Sequence, residues 1–395
     1  MIRLPDENGT LRAYEPRDRP ADAVARPRAD ARPPASRTVF AAAHVVADPF
    51  REAPGTGAPA ALDWDATLAF RRHLWSYGLC VAEAMDTAQR GMGLDWPVAA
   101  ELIERSAAEA RAVGGRMACG VGTDQLEPGE HDLVSVRDAY EEQSEVVEKA
   151  GAQPVLMASR ALAAVARGPE DYLDVYGNLL RQSAGPVILH WLGPMFDPAL
   201  EGYWGSADLD AATGTFLRII EEHPGKVDGV KVSLLDAGRE VALRRRLPEG
   251  VRCYTGDDFN FPELIAGDEL GFSHALLGVF DPLAPLAADA VRLLDEGAAS
   301  GAEGTAGFRA ALDPTVPLAR HLFEAPTRFY KTGVVLLAWL AGHQDHFVMA
   351  GGMQSARSLP HLARAYELAD GLGLFPDPAR AEERMRRLLA VHGVS

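Results

Sequence analysis

One lysine in this chain stands where a lysine is expensive. Lys231 lies in Val227-Asp228-Gly229-Val230-Lys231-Val232-Ser233-Leu234-Leu235-Asp236, an apolar, β-branched run bounded by turn residues. The chain has 39 basic residues, yet only four are lysines: Lys149, Lys226, Lys231 and Lys331. Lys149, Lys226 and Lys331 fall in predicted helices, at their ends or in turns, where water reaches an ammonium. Lys231 alone lies in a predicted apolar strand, where charge is costly and the pKa falls. A neutral lysine amine attacks a carbonyl and forms an imine. The resulting iminium accepts the electron pair of a breaking neighbouring bond. The plainer reading pairs the lysine with a carboxylate such as Glu83.

A second group of residues could serve that lysine. His190 follows an apolar run and precedes Trp191-Leu192-Gly193-Pro194; it reads as a proton shuttle or as a hydrogen-bonded core histidine. His44, Glu83, Asp86, Asp257 and His274 lie at predicted strand ends and are candidate substrate-binding residues. Gly256-Asp257-Asp258 also reads as a turn, with glycine supplying an unusual φ and aspartate capping the next segment. A competing chemistry uses Glu83, Asp86, His190 and His274 as ligands of a divalent metal in a sugar isomerase or epimerase. A third reading is a carbohydrate-binding barrel without turnover. His343 and His346 are spaced i, i+3 without a third ligand and read as helix capping or packing.

These residues need a scaffold that gathers them. Residues 1–37 read as an irregular arm rich in Arg, Pro and Asp. From Thr38 onward, eight apolar runs alternate with helical patterns. The runs cover roughly 39–46, 79–85, 116–122, 154–157, 186–191, 227–234, 251–255 and 270–276. Continuous apolar runs are the pattern of parallel strands buried on both faces. Eight strand–helix units predict an α/β fold, a (β/α)₈ barrel over 38–298, with the active site at the carboxyl ends of the strands. Residues 299–395 read as a helical C-terminal extension behind a Gly/Ala-rich connector, with a strongly apolar stretch at 336–340.

Composition narrows the partners. A net charge of −17 and a pI near 5.1 argue against nucleic acid and anionic membrane surfaces. No apolar run is long enough to span a bilayer, and the start lacks the apolar core of a secretion signal. Cys80, Cys119 and Cys253 fall in predicted strands. An odd number of buried thiols predicts a reduced, cytoplasmic protein.

With these residues placed, the chain resembles the dihydrodipicolinate synthase / N-acetylneuraminate lyase superfamily of Schiff-base aldolases. Gly229-Val230-Lys231-Val232-Ser233 is similar to the signature whose lysine forms the imine. Tyr254-Thr255-Gly256-Asp257-Asp258 resembles the seventh-strand segment. Phe272-Ser273-His274, followed by Asp281-Pro282, resembles the eighth strand and the loop after it. Ala43 to Phe50 resembles the first strand and its ending. The resemblance implies Lys231 as imine lysine, no cofactor beyond that covalent imine, a small carbonyl substrate and a homodimer or higher homo-oligomer. It also implies that Arg328, Tyr330 and Lys331, in the extension, serve a subunit interface ahead of covering the barrel mouth. The departures are as informative. The Gly-Thr-Thr-Gly-Glu that holds the pyruvate carboxylate in the family reads Ala84-Met85-Asp86-Thr87-Ala88 here. The family's strand-five tyrosine is His190, and the arginine after it is replaced within Gly193-Pro194-Met195-Phe196. An acidic Asp86 repels a keto-acid carboxylate. The expected substrate is therefore a neutral or polyhydroxylated carbonyl compound other than pyruvate.

Overall fold

The first regular elements lie where the sequence pattern predicts an irregular arm. In the computed structural model, which describes residues 1–17, 32–51, 60–126, 129–297 and 302–394, β1 (Ile2–Pro5) and β2 (Leu11–Tyr14) pair antiparallel. Asp6 closes the turn between them by accepting the backbone N–H groups of Asn8 and Thr10. Ile2 and Leu4 are buried, and the Tyr14 hydroxyl donates to Asp370 at 2.6 Å on the helix Leu359–Leu372. The hairpin exists because two aliphatic side chains find cover on the C-terminal helices. The high Arg and Pro content of 1–37 hides that short alternation.

Eight parallel strands then close into a barrel. They are β3 (Val39–Ala42), β4 (Cys80–Glu83), β5 (Met117–Val121), β6 (Gln153–Leu156), β7 (Val187–Leu192), β8 (Val227–Ser233), β9 (Arg252–Thr255) and β10 (His274–Leu277). Each pairs with the next, and β10 returns to β3. One face of each strand packs on the surrounding helices. The other fills the barrel, where Phe40, Ala42, Ala82, Ala118, Ile188, Tyr254 and Leu276 share one inner cluster. Aromatic side chains offset alanines there, so the interior is filled rather than hollow. Gly229 has no side chain because the Tyr254 ring occupies that place, 2.6 Å from where a Cβ would stand.

Aspartates start many of the helices. Asp63, Asp95, Asp132 and Asp236 each accept a backbone N–H of the following first turn. Beyond the barrel, the helix Tyr330–Ala341 is buried from Tyr330 through Leu340. A helix apolar on every side must be covered on every side. It is covered by Val316–Leu322, Leu359–Leu372 and Pro378–Val391. Among the described residues no helix is long and apolar enough to cross a membrane.

Glu240, on the helix Ala237–Arg244, carries a measurable consequence of this packing. It is buried, accepts from the Ser273 hydroxyl at 2.7 Å, and leaves its second oxygen without a partner. Burial pushes its carboxyl up to about 8. The folded chain therefore keeps a proton that the unfolded chain loses near pH ~4. The stability this group contributes is full below that unfolded value and is lost as pH rises toward the folded one. Glu240→Gln is expected to exceed the parent in stability by about 2–4 kcal/mol at pH 8, the gap closing toward pH ~4. Urea denaturation across that range reads it, and a pH-independent difference would contradict it.

Candidate active site

Lys231 projects from β8 into the mouth of the barrel. Its register partners are His190 on β7 and Tyr254 on β9. Gly256, just past β9, makes room for it: a Cβ there would stand 2.9 Å from the Lys231 Cε and collide with the Ser233 hydroxyl. Lys231 is only 8% exposed, and no hydrogen bond or ion pair holds its amine among the described residues. Burial lowers its pKa, with Asp86 and Asp258 opposing. The plainer reading of Lys231, a pair with Glu83, is therefore not what the fold builds.

His190 lies alongside, 1% exposed. Its Nε2 shares a hydrogen bond of 3.1 Å with the Ser233 hydroxyl, and its Nδ1 is buried without a partner. Burial, helped by the Lys231 charge, holds the imidazole pKa well below its ordinary value. It is neutral at pH 7. A cleft of about 580 Å³ opens beside it, lined among others by Asp86, Thr123, Ser159, Arg160 and Asp197. The Asp86 carboxylate has no hydrogen-bond partner among the described residues.

The C-terminal helices roof this mouth. Tyr330 shares a hydrogen bond of 2.7 Å with Thr87, which follows β4. Its ring stacks on Phe323 at 4.2 Å and fills the space above Gly278, just past β10. Lys331, expected to be solvated, is 3% exposed. Its ammonium donates to the Arg328 carbonyl at 3.1 Å and the Met92 sulfur at 3.3 Å, and burial lowers its pKa too. Sequence pattern placed it on a helix, but only the packing of that helix across the barrel takes it out of water. Tyr330 and Lys331 thus cover the barrel mouth within one chain.

Four of the expected binding residues face elsewhere. Glu83 points outward from β4, where Arg71 holds both its oxygens at 2.8 Å and Ser106 donates at 2.6 Å. His44 turns toward Phe70, with its N–H groups on Asp281 at 2.8 Å. Asp257 is spent on the turn: it accepts from the backbone of Phe259 and Asn260 and from the Asn260 amide. His274 is the first residue of β10, at the amino end of the barrel, where its Nδ1 accepts the Thr38 N–H at 2.8 Å. The strand starts four residues later than its apolar run because Gly271, at φ +141°, turns the chain first. The proposed metal set Glu83, Asp86, His190 and His274 is consequently spread over opposite faces of the barrel. Among the described residues one group is spaced to hold a metal ion: His321, Glu324 and His361, on the C-terminal helices and the loop between them. His343 packs against Phe70 and His73, as a packing role requires.

A family profile described as "Protein of unknown function (DUF993)" matches residues 2–394. The chain belongs to the DUF993 family. No curated protein matches it. Solved structures share its fold. Dihydrodipicolinate synthase from Aquifex aeolicus is 12% identical, over 91% of this chain and 98% of that one, with a TM-score of 0.60. Sialic acid aldolase from Ruminococcus gnavus is 11% identical, over 86% and 98%, at 0.57. The 2-keto 3-deoxygluconate aldolase from Picrophilus torridus is 15% identical, over 75% and 93%, at 0.52. This DUF993 chain therefore shares the barrel fold of these synthase and aldolase structures, the fold that its eight strand–helix units predict.

The mouth of the DUF993 chain also gathers residues whose place sequence pattern does not give. Ser233 and Thr87 carry no signal, because a hydroxyl is at home in strand, turn or helix alike, and Tyr330 is expected first at a subunit interface. Asp258 is expected at the end of the seventh strand together with Asp257, but nothing in the pair tells which caps the turn and which faces the lysine.

The outward pair Arg71–Glu83 makes a separate prediction. Both side chains are fully buried, so removing one leaves an unpaired interior charge. Arg71→Met is expected to cost about 3–5 kcal/mol in chemical denaturation, and Arg71→Met/Glu83→Leu to recover much of it. A loss below ~1 kcal/mol for the single variant would show that the pair is solvated.

Proposed function

We propose that this protein is a class I, Schiff-base lyase or aldolase that makes or breaks a bond next to the carbonyl of a small, hydroxylated substrate. The observation that carries the reading is the Lys231 amine: desolvated, without an ion-pair partner among the described residues, and in register with His190, which lines a cleft at the carboxyl ends of the strands. A lysine so placed is available as the free amine that attacks a carbonyl. His190, held neutral, moves protons through its two nitrogens, with the Ser233 hydroxyl as the next link. Asp86 faces the cleft where a keto-acid carboxylate would otherwise be held, and accepts substrate hydroxyl hydrogen bonds instead. The aldolase barrels among the structural neighbours are consistent with this chemistry. No cofactor is required, since the imine itself is the electron sink. We further propose a homo-oligomer, to be read by light scattering.

The experiment is reductive trapping. Incubation with glycolaldehyde and sodium borohydride should leave one covalent adduct, mapped by peptide mass spectrometry to Lys231. Lys231→Ala should carry none. Pyruvate should trap at least about tenfold less than glycolaldehyde, if Asp86 repels its carboxylate with more than ~1.4 kcal/mol. An adduct that persists in Lys231→Ala, or none in the parent, would overturn the reading.

A further inference from the structure

Imine formation needs a group that gives and takes protons, and His190 is poorly suited to give one. Its imidazole is buried, and that burial holds its pKa well below the ordinary value, so it carries no proton to give at neutral pH. We propose that Asp258 is a second catalytic acid/base of the site, the one that carries the proton to and from the reacting oxygen during imine formation, while the neutral His190 serves as a proton acceptor and relay.

The geometry is specific to Asp258 and excludes its neighbour. Asp257 and Asp258 follow β9, beyond the glycine that admits Lys231. Asp257 is fully engaged by the turn at Phe259 and Asn260. That turn sends Asp258 the other way, across to the loop after β10. There one oxygen, Oδ1, accepts the Val279 N–H at 2.9 Å. The other oxygen has no hydrogen bond, and the carboxyl makes no ion pair with Lys231, among the described residues. Asp258 is 3% exposed. Burial pushes its carboxyl up to about 7, against the Val279 N–H and the Lys231 charge. A carboxyl balanced near the working pH can both donate and accept. The ionisable groups around it are Lys231 from β8, Asp257 from its own loop and Tyr330 from the roof, with Asp86 and His190 across the mouth.

This role rests on the imine reading, and each step balances. The neutral Lys231 amine attacks the carbonyl carbon; a C–N bond forms, and the carbonyl π pair moves to oxygen. Asp258 protonates that oxygen. The nitrogen then returns a proton to the Asp258 carboxylate, leaving a neutral carbinolamine. Asp258 gives the proton a second time, to the hydroxyl; the C–O bond breaks, water leaves, and the nitrogen lone pair closes the C=N bond. The products are iminium, water and an Asp258 carboxylate. The anion then faces the new cation and can take the proton that bond cleavage releases.

The test uses the full-length protein, glycolaldehyde and sodium cyanoborohydride, with intact mass following adduct growth on Lys231. Asp258→Asn keeps the acceptor for the Val279 N–H, so its melting curve should match the parent. Its adduct should form about 100-fold more slowly or worse, while His190→Asn should lose less. An adduct in the parent that forms as fast in Asp258→Asn would overturn this inference and leave the imine reading standing. No adduct in the parent would overturn both. Infrared spectroscopy of Glu240→Gln, which removes the other raised carboxyl, is independent of whether Asp258→Asn folds. A protonated-carboxyl band that disappears as pH rises through neutrality is expected, and its absence at acidic-to-neutral pH would refute the assignment.

Discussion

Everything at the barrel mouth depends on keeping one amine out of water without giving it a partner. An ammonium in an apolar interior is costly, and a protein normally removes that cost by pairing the charge or dropping the proton. Here the nearest carboxylates, Asp86 and Asp258, act on Lys231 through space without forming an ion pair with it. Each is held back differently: Asp258 by its bond to the Val279 backbone, Asp86 by its place on the cleft wall. The arrangement favours a free amine with two carboxyl groups near it, which in the imine reading proposed above would stabilise the iminium.

The roof is part of that constraint. Without the helix Tyr330–Ala341, the mouth would open to solvent and the dielectric around Lys231 would rise. Glycines where side chains would otherwise intrude make the fit possible. Gly256 leaves room for Lys231 and Ser233, and Gly278 leaves room for Tyr330 and Thr87. The loop that carries the roof is itself pinned, since the Arg357 guanidinium donates to the carbonyls of Leu322, Glu324, Ala325 and Pro326. A second lysine, Lys331, is buried by the same packing, and the charges that bear on it again include Asp86.

Polar residues of the strands and the loops after them divide by what satisfies them. Glu83 and Asp257 face helices or turns and have their hydrogen bonds filled; they stabilise the scaffold. Asp86, His190, Lys231 and one oxygen of Asp258 face the mouth and keep unfilled bonding capacity. His44 shows the intermediate case, with Nδ1 on Asp281 and Nε2 unpartnered against an aromatic wall. Unfilled bonding capacity at a barrel mouth marks these four as candidate site residues.

The sequence alone determined the barrel and its lysine. Runs of buried β-branched residues, repeated eight times between helical patterns, admit few other folds, and a lysine inside such a run declares its own desolvation. It also placed His190 and Asp86 at strand ends that do meet. Only tertiary structure decided which side of a strand end each remaining polar residue faces. Strand bounds shift by a few residues with one glycine turn, as at Gly271, and each single step reverses a side chain from mouth to helix layer. That moved His274 to the far end of the barrel. Burial of Lys331 and Tyr330 was likewise invisible, because their desolvation comes from contact with Met92 and Thr87, more than 200 residues away in the chain. Local pattern reports on neighbours within a few residues, whereas the dielectric around a charge is set by whatever the fold packs against it.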